Sequence, residues 1–164
     1  MPVIDRADDV AANVERLVRG FHVLDIPALL TEQYVKGLGR TIPRVRRAFE
    51  ETSGYTPIEK ASFSAKGEGE FVAALRGLRK KQVLVCGIEA HVCVYQTVGD
   101  LLANGYDVTL IADAISSRTA ENKEIALRRM IADGATLSST EMALFELLGV
   151  SGTDEFRRIA KLVK

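Results

Sequence analysis

From Gln82 to Gly134 the chain alternates twice between a short apolar run and a longer amphipathic stretch, and that alternation leaves few folds open. Gln82–Cys86 reads as a strand, Val92–Asn104 as a helix stopped at Asn104-Gly105, Asp107–Ala112 as a strand, and Ala120–Asp133 as a helix ended by Gly134. Strands joined through helices of this length run parallel, through right-handed crossovers, and need helices on both faces of the sheet. The expected fold class is therefore α/β: three layers, α/β/α, around a mostly parallel sheet. In such sheets ligands bind at the carboxyl ends of the strands. The stretch Gly87–Cys93 leaves one of those ends and enters a helix, so Cys93 stands where chemistry is expected. Unpaired N–H groups and the partial positive charge of a helix start favour thiolate, the nucleophilic form of cysteine.

The flanking segments fit the same plan. Ala7–Leu24 carries Val10, Val14, Leu17, Val18 and Phe21 at helical spacing. Pro27–Thr31 is expected as a short buried strand, and Gln33–Arg47 as a loop containing the basic residues Lys36, Arg40, Arg44, Arg46 and Arg47, which serves as a solvated lid, a subunit contact or an attractor of an anionic substrate. A helix is expected near Gly69–Lys80, a brief strand at Thr136–Leu137, a helix over Ser139–Leu148 with Ser138–Glu141 as a capping box, and a last helix from Thr153 to Val163. One domain spanning residues 1–164 is expected from this length.

Charge narrows the partners. The chain has 22 basic and 22 acidic side chains, so its formal net charge is zero, with no general pull toward nucleic acid or an anionic membrane. No apolar run approaches the roughly 20 residues of a bilayer span. The opening Met1-Pro2-Val3-Ile4-Asp5-Arg6 turns acidic at once, unlike a signal peptide. The two cysteines, Cys86 and Cys93, do not make a disulfide framework, so a reducing cytoplasm is expected. Cys86 belongs to an apolar strand and His22 to a helix surface. His91, two residues from Cys93, need not point the same way. No Asp-x-His arrangement has metal spacing, and Gly37 and Gly39 make no phosphate cradle, so no metal or cofactor is expected.

Four separated segments, Thr31–Gly39, Glu59–Ser64, Cys86–Thr97 and Asp113–Arg118, resemble, in order, the isochorismatase-like cysteine hydrolases, and among them the isochorismatase domain-containing hydrolases. The resemblance implies a nucleophile at Cys93 and a lysine partner at Lys60. It implies attack on the carbonyl of a small amide or related compound through a thioester, with substrate contacts from Tyr34, Ile88, Glu89 and Ala90. It also implies a non-proline cis peptide at Ile88-Glu89 and a homo-oligomer. Backbone N–H groups around Ala90–Cys93 suit an oxyanion.

The family also carries a central first strand ending in a catalytic aspartate, followed by any residue and then Gln or Asn. Val3-Ile4-Asp5 matches only three residues of that pattern before a helix begins. The expectation is a fold that survives with an incomplete triad, in which Asp5, Glu32 or Glu89 is left to supply the carboxylate. The alternative is a catalytically impaired relative with a binding or scaffolding role. A redox-sensing thiol protein ranks below both, since Cys86 is too buried to resolve an oxidised Cys93.

Overall fold

The computed structural model describes residues 3–164. The long helix α1 (Ala7–Val23) follows the predicted stripe: Val10, Leu17 and Val18 are buried and His22 is exposed. The first strand lies slightly later than the sequence suggests. It is β1 (Thr31–Gln33), not Pro27–Thr31, so Gln33 ends a strand instead of opening a loop. The predicted basic loop holds two helices, α2 (Val35–Leu38) and α3 (Pro43–Glu50). Pro43 fits the first turn of α3 because its missing N–H would have no helical partner. Val45, Ala48 and Phe49, spaced three and four apart, bury one face.

The remaining order is β2 (Ile58–Lys60), a 3₁₀ turn at Ala65–Gly67, α4 (Gly69–Gly77), β3 (Gln82–Ile88), a π-helical turn at Ala90–Val94, α5 (Tyr95–Ala103), β4 (Asp107–Ser116), α6 (Ala120–Ala132), β5 (Thr136–Ser138), α7 (Thr140–Leu148) and α8 (Asp154–Val163). Ser139 caps α7 by accepting from Met142 N–H at 3.3 Å, so the cap is Ser139 and not the Ser138–Glu141 box. Thr153 caps α8 through Phe156 N–H.

Every strand pair is parallel, as the alternation requires. Among the described residues the strands nevertheless fall into two sheets, β1–β2 and β3–β4–β5, with no ladder between them. In the larger sheet alternate residues feed opposite cores. Val83, Val85, Val108 and Leu110 pack with α4, α5 and α6. Leu84, Cys86, Ile111 and Ala114 pack with α1, α7 and α8. The change of parity in β4 has a local cause. Val85 pairs with Leu110 but Gly87 pairs with Ile115, so β4 bulges between them. A third core joins Ala11 and Val18 of α1 to Val45, Ala48 and Phe49 of α3, with Leu30 beside them. Helix α1 thus contributes to cores on both sides of the divide between the sheets.

The two apolar strands β3 and β4 differ in burial. Val108, Leu110, Ile111, Ala114, Ile115 and Ser116 of β4 are buried, whereas no residue of β3 is fully buried. Strand β4 has a partner on each side; among the described residues β3 has a partner only on the β4 side.

On β1, Glu32 faces away from Gln33 into its own network. One oxygen accepts from Thr41 N–H (2.8 Å), Thr41 Oγ1 (2.7 Å) and the Tyr55 hydroxyl; the other accepts from Arg40 (2.9 Å). Burial opposes ionisation, but these donors outweigh it and hold the carboxyl down at about 2. Arg40 also pairs with Glu59, the residue directly opposite Glu32 in the β1–β2 register. Arg44 pairs with Glu15, and Arg46 pairs with Glu50 and lies over the Tyr55 ring. The basic segment is therefore largely consumed in internal pairs.

Candidate active site

The carboxyl ends of β1, β2 and β3 converge. Gln33 and Lys60 are the last residues of β1 and β2 and are register partners. Lys60 is buried, and its ammonium donates to Gln33 Oε1, to Ser62 O (3.0 Å) and to Phe63 O (2.7 Å). The loop after β2 is shaped to offer those carbonyls. Glu68 draws in Ala61 N–H, Ser62 N–H and Ser62 Oγ, and Ser64 Oγ donates to Asp100 of α5 at 2.6 Å. The Ser62 hydroxyl and backbone bonds, helped by the Lys60 charge, hold the Glu68 carboxyl below its usual range.

Cys93 lies in the π-helical turn between β3 and α5, half-buried. Its thiol donates to Gln33 Oε1 at 3.7 Å. One amide oxygen therefore receives from both the Lys60 ammonium and the Cys93 thiol, while Gln33 Nε2 donates to Ala61 O at 2.8 Å and fixes which way the amide points. Cys93 and Lys60, expected together from the sequence, both reach this oxygen, whereas the sequence reading gives Gln33 no role. The signal was available: a polar pair, Glu32-Gln33, ends a run that should be apolar.

Among the other expected site residues, Ile88-Glu89 is a cis peptide, and Glu89 O accepts from Val92 N–H (3.1 Å) and Val94 N–H (3.2 Å), which shapes the turn. Ala90 is fully buried. The Glu89 side chain points toward the end of β4, where Arg118 donates to it at 2.9 Å; His91 Nδ1 lies 3.0 Å from Ser117 Oγ. Tyr34 is exposed, with φ at 40°, and its N–H donates to Lys60 O at 2.9 Å. Its ring covers Gly37, where a β-carbon would come within 2.2 Å of Cε1 and would displace the exposed ring.

None of the three carboxylates left open reaches Cys93 or Lys60 by a hydrogen bond among the described residues. Glu32 faces its own network and Glu89 is held by Arg118. Asp5 lies before α1, where its N–H donates to Ser117 O (2.9 Å) and its carbonyl accepts from Ser116 Oγ (2.7 Å). No strand precedes α1 and no metal-binding cluster occurs among the described residues. Burial, with Asp113 nearby, pushes the Cys86 thiol up to about 11, so Cys86 stays a neutral core thiol.

Parallel strands, helices on both faces, and a lysine and a cysteine meeting at the strand ends define a hydrolase-type α/β fold. The chain belongs to the isochorismatase family: the Isochorismatase domain model matches residues 3–142. It is 37% identical to isochorismatase domain-containing protein 2 of Danio rerio over 99% of this chain and 80% of that protein. It is 39% identical to the secreted isochorismatase effector Isc1 of Phytophthora sojae, over 90% of this chain and 71% of that one. Among solved structures, the MAR1 ribonuclease of Caenorhabditis elegans superposes with a TM-score of 0.90 at 34% identity, over 99% of this chain and 82% of that chain. The YcaC product of Escherichia coli, described as an octameric hydrolase of unknown specificity, shares the fold with a TM-score of 0.88 at 22% identity, over 98% of this chain and 80% of that chain. No helix of the described residues is long and apolar enough to cross a membrane.

Proposed function

We propose that the protein is a cysteine hydrolase acting on a small amide or related carbonyl compound. The observation that carries this reading is the shared oxygen of Gln33, which holds the Lys60 ammonium and the Cys93 thiol in one cluster at the strand ends. The Cys93 sulfur attacks the carbonyl carbon, and its proton passes to the leaving nitrogen as the C–N bond breaks. The resulting thioester is hydrolysed by water, which returns the thiol and releases the acid. Backbone N–H groups of the Ala90–Cys93 turn other than Val92, which donates to Glu89 O, would receive the developing oxyanion, and Lys60 offsets its charge. Substrate contacts fall to the exposed Tyr34 and to the backbone of Ile88-Glu89, while the fully buried Ala90 supports the turn. The enzyme needs no cofactor or metal, works as one domain, acts in the cytoplasm and assembles as a homo-oligomer, which exposed apolar residues of the C-terminal part such as Leu137, Met142 and Val150 favour.

The second reading is an impaired relative with a binding role, favoured by the lack of a carboxylate bonded to Cys93 or Lys60 among the described residues. Turnover of an amide panel, with intact-mass detection of an acyl adduct, separates the two. An adduct on the wild type, with a rate reduced about 10³-fold in Cys93→Ala, supports the hydrolase. No adduct and no turnover supports the binding protein. An RNA oligonucleotide belongs in the panel because the C. elegans relative is described as a ribonuclease.

A further inference from the structure

We infer that Arg118 is a positioning residue for Cys93, holding the turn that carries the thiol against the end of β4 through Glu89 and His91. Its effect on turnover rests on the hydrolase reading; its grip on the turn does not. Two backbone bonds onto Glu89 O, from Val92 and Val94 N–H, shape that turn, and the second closes the wide π-helical ring. Glu89, His91 and Cys93 alternate along it. Glu89 and His91 send their side chains to the end of β4, whereas the Cys93 thiol reaches Gln33 of β1 at 3.7 Å. The place of the thiol beside Gln33 and Lys60 therefore depends on how firmly the turn is held on the β4 side.

Arg118 supplies that hold with one edge of its guanidinium. Its Nε donates to Glu89 Oε2 at 2.9 Å, and its Nη2 lies 3.5 Å from His91 Nε2. An arginine only donates, so His91 Nε2 accepts. The single proton of the neutral ring is then on Nδ1, which donates to Ser117 Oγ at 3.0 Å. Ser117 and Arg118 are consecutive, so one segment takes both polar side chains of the turn. That segment is itself anchored. Ser116 and Ser117 are buried, Ser117 O accepts from Asp5 N–H (2.9 Å), and Ser116 Oγ donates to Asp5 O (2.7 Å).

Stability does not account for the arrangement, because exposed ion pairs contribute little to folding. Arg46 and Arg128 make theirs within their own helices, with Glu50 and Glu124. Arg118, equally exposed, instead reaches 29 residues back, to the turn that carries the thiol. A reacting atom misplaced by about 1 Å can lower a rate about 10²-fold, so a weak tie at this place has a large effect.

The test compares the whole chain with Arg118→Ala, Arg118→Lys, the Glu89→Ala/His91→Phe pair, and that pair combined with Arg118→Ala. Amide hydrogen exchange across residues 89–94 and iodoacetamide alkylation of Cys93 at fixed pH, assigned by peptide mass, read the turn without any substrate. Both should be at least about 3-fold faster in Arg118→Ala, with the melting temperature within about 2 °C of the wild type. Arg118→Lys keeps the charge but not the two-pronged edge and should fall between. The Glu89→Ala/His91→Phe pair should reproduce Arg118→Ala, and adding Arg118→Ala to it should change nothing further. On an amide that the wild type turns over, Arg118→Ala should lower kcat about 10-fold and alter KM less than about 2-fold. Unchanged exchange and alkylation in Arg118→Ala, or additive effects of the turn changes and Arg118→Ala, overturn the positioning role. A rise in KM alone overturns it too, because Arg118 then touches substrate. A melting temperature lowered as much in Arg118→Lys as in Arg118→Ala makes Arg118 a fold residue and overturns it as well. If the wild type turns over no amide, the hydrolase reading fails, and exchange and alkylation alone decide the role of Arg118.

Discussion

The two sheets are held by different physics. In β3–β4–β5 the strands are buttressed by apolar cores on both faces, and Leu110, Ile111 and Ile115 are fully buried. In β1–β2 the strands are three residues each, and their buried side chains include a glutamate and a lysine. One face of β1 is organised by Glu32 and its donors, the next residue by Lys60 and Cys93. Nonspecific burial builds the large sheet, while directional bonds and charge build the small one. The site sits where they meet.

The sharpest way to break this contrast is to remove volume from the large sheet. Leu110→Ala deletes a fully buried side chain between α5 and α6 and should cost about 2–5 kcal/mol in denaturant unfolding, with little dependence on pH. The small sheet should answer to pH instead. Glu32 has a folded value near 2 against an ordinary 4.5, so its stabilisation is fully present above about 4.5 and is lost as pH falls toward 2. That difference is worth about 3 kcal/mol. Glu32→Gln, which turns an acceptor into a donor facing Arg40 or Thr41, should destabilise by a similar amount at neutral pH and flatten the melting-temperature profile below pH 4.5.

Lys60→Met tests whether the site is there for stability. Removing a buried charge that has no carboxylate partner among the described residues should change unfolding free energy by less than about 1 kcal/mol while lowering turnover about 10²-fold. A large loss of stability would make Lys60 a fold residue. The smallest effect is expected away from both sheets: Arg128→Ala breaks an exposed i,i+4 pair with Glu124 on α6 and should cost below about 0.5 kcal/mol.

The same contrast explains what could be read from the sequence. The large sheet announces itself because Val83–Cys86 and Val108–Ile111 alternate with helical stripes whose signals are local. Cys93 and Lys60 are legible through the segments around them. Strand β1 is displaced because the polarity of Glu32 and Gln33 contradicts an apolar-run rule. Their partners stand far along the chain: Arg40, Thr41 and Tyr55 for one, Lys60 and Cys93 for the other. Helix α3 is masked in the same way. Its arginines suggest a basic loop until Glu15 and Glu50 are placed beside them, though the spacing of Val45, Ala48 and Phe49 was a fair warning. The split between the sheets has no local signature at all, because it depends on which edges find partners.

Arg40 carries a consequence for how this chain can diverge. Glu32 and Glu59 stand directly opposite each other on adjacent parallel strands, an arrangement that like charges ordinarily oppose, and Arg40 reaches both. Those three positions form one heritable unit spread over two strands and a connecting segment. A change at any one alters which residues are tolerable at the other two, so drift there must proceed in coordinated steps. Apolar positions of β4 can exchange one aliphatic for another singly. Related sequences should therefore differ freely along β4 while keeping or replacing the Arg40 triplet as a block.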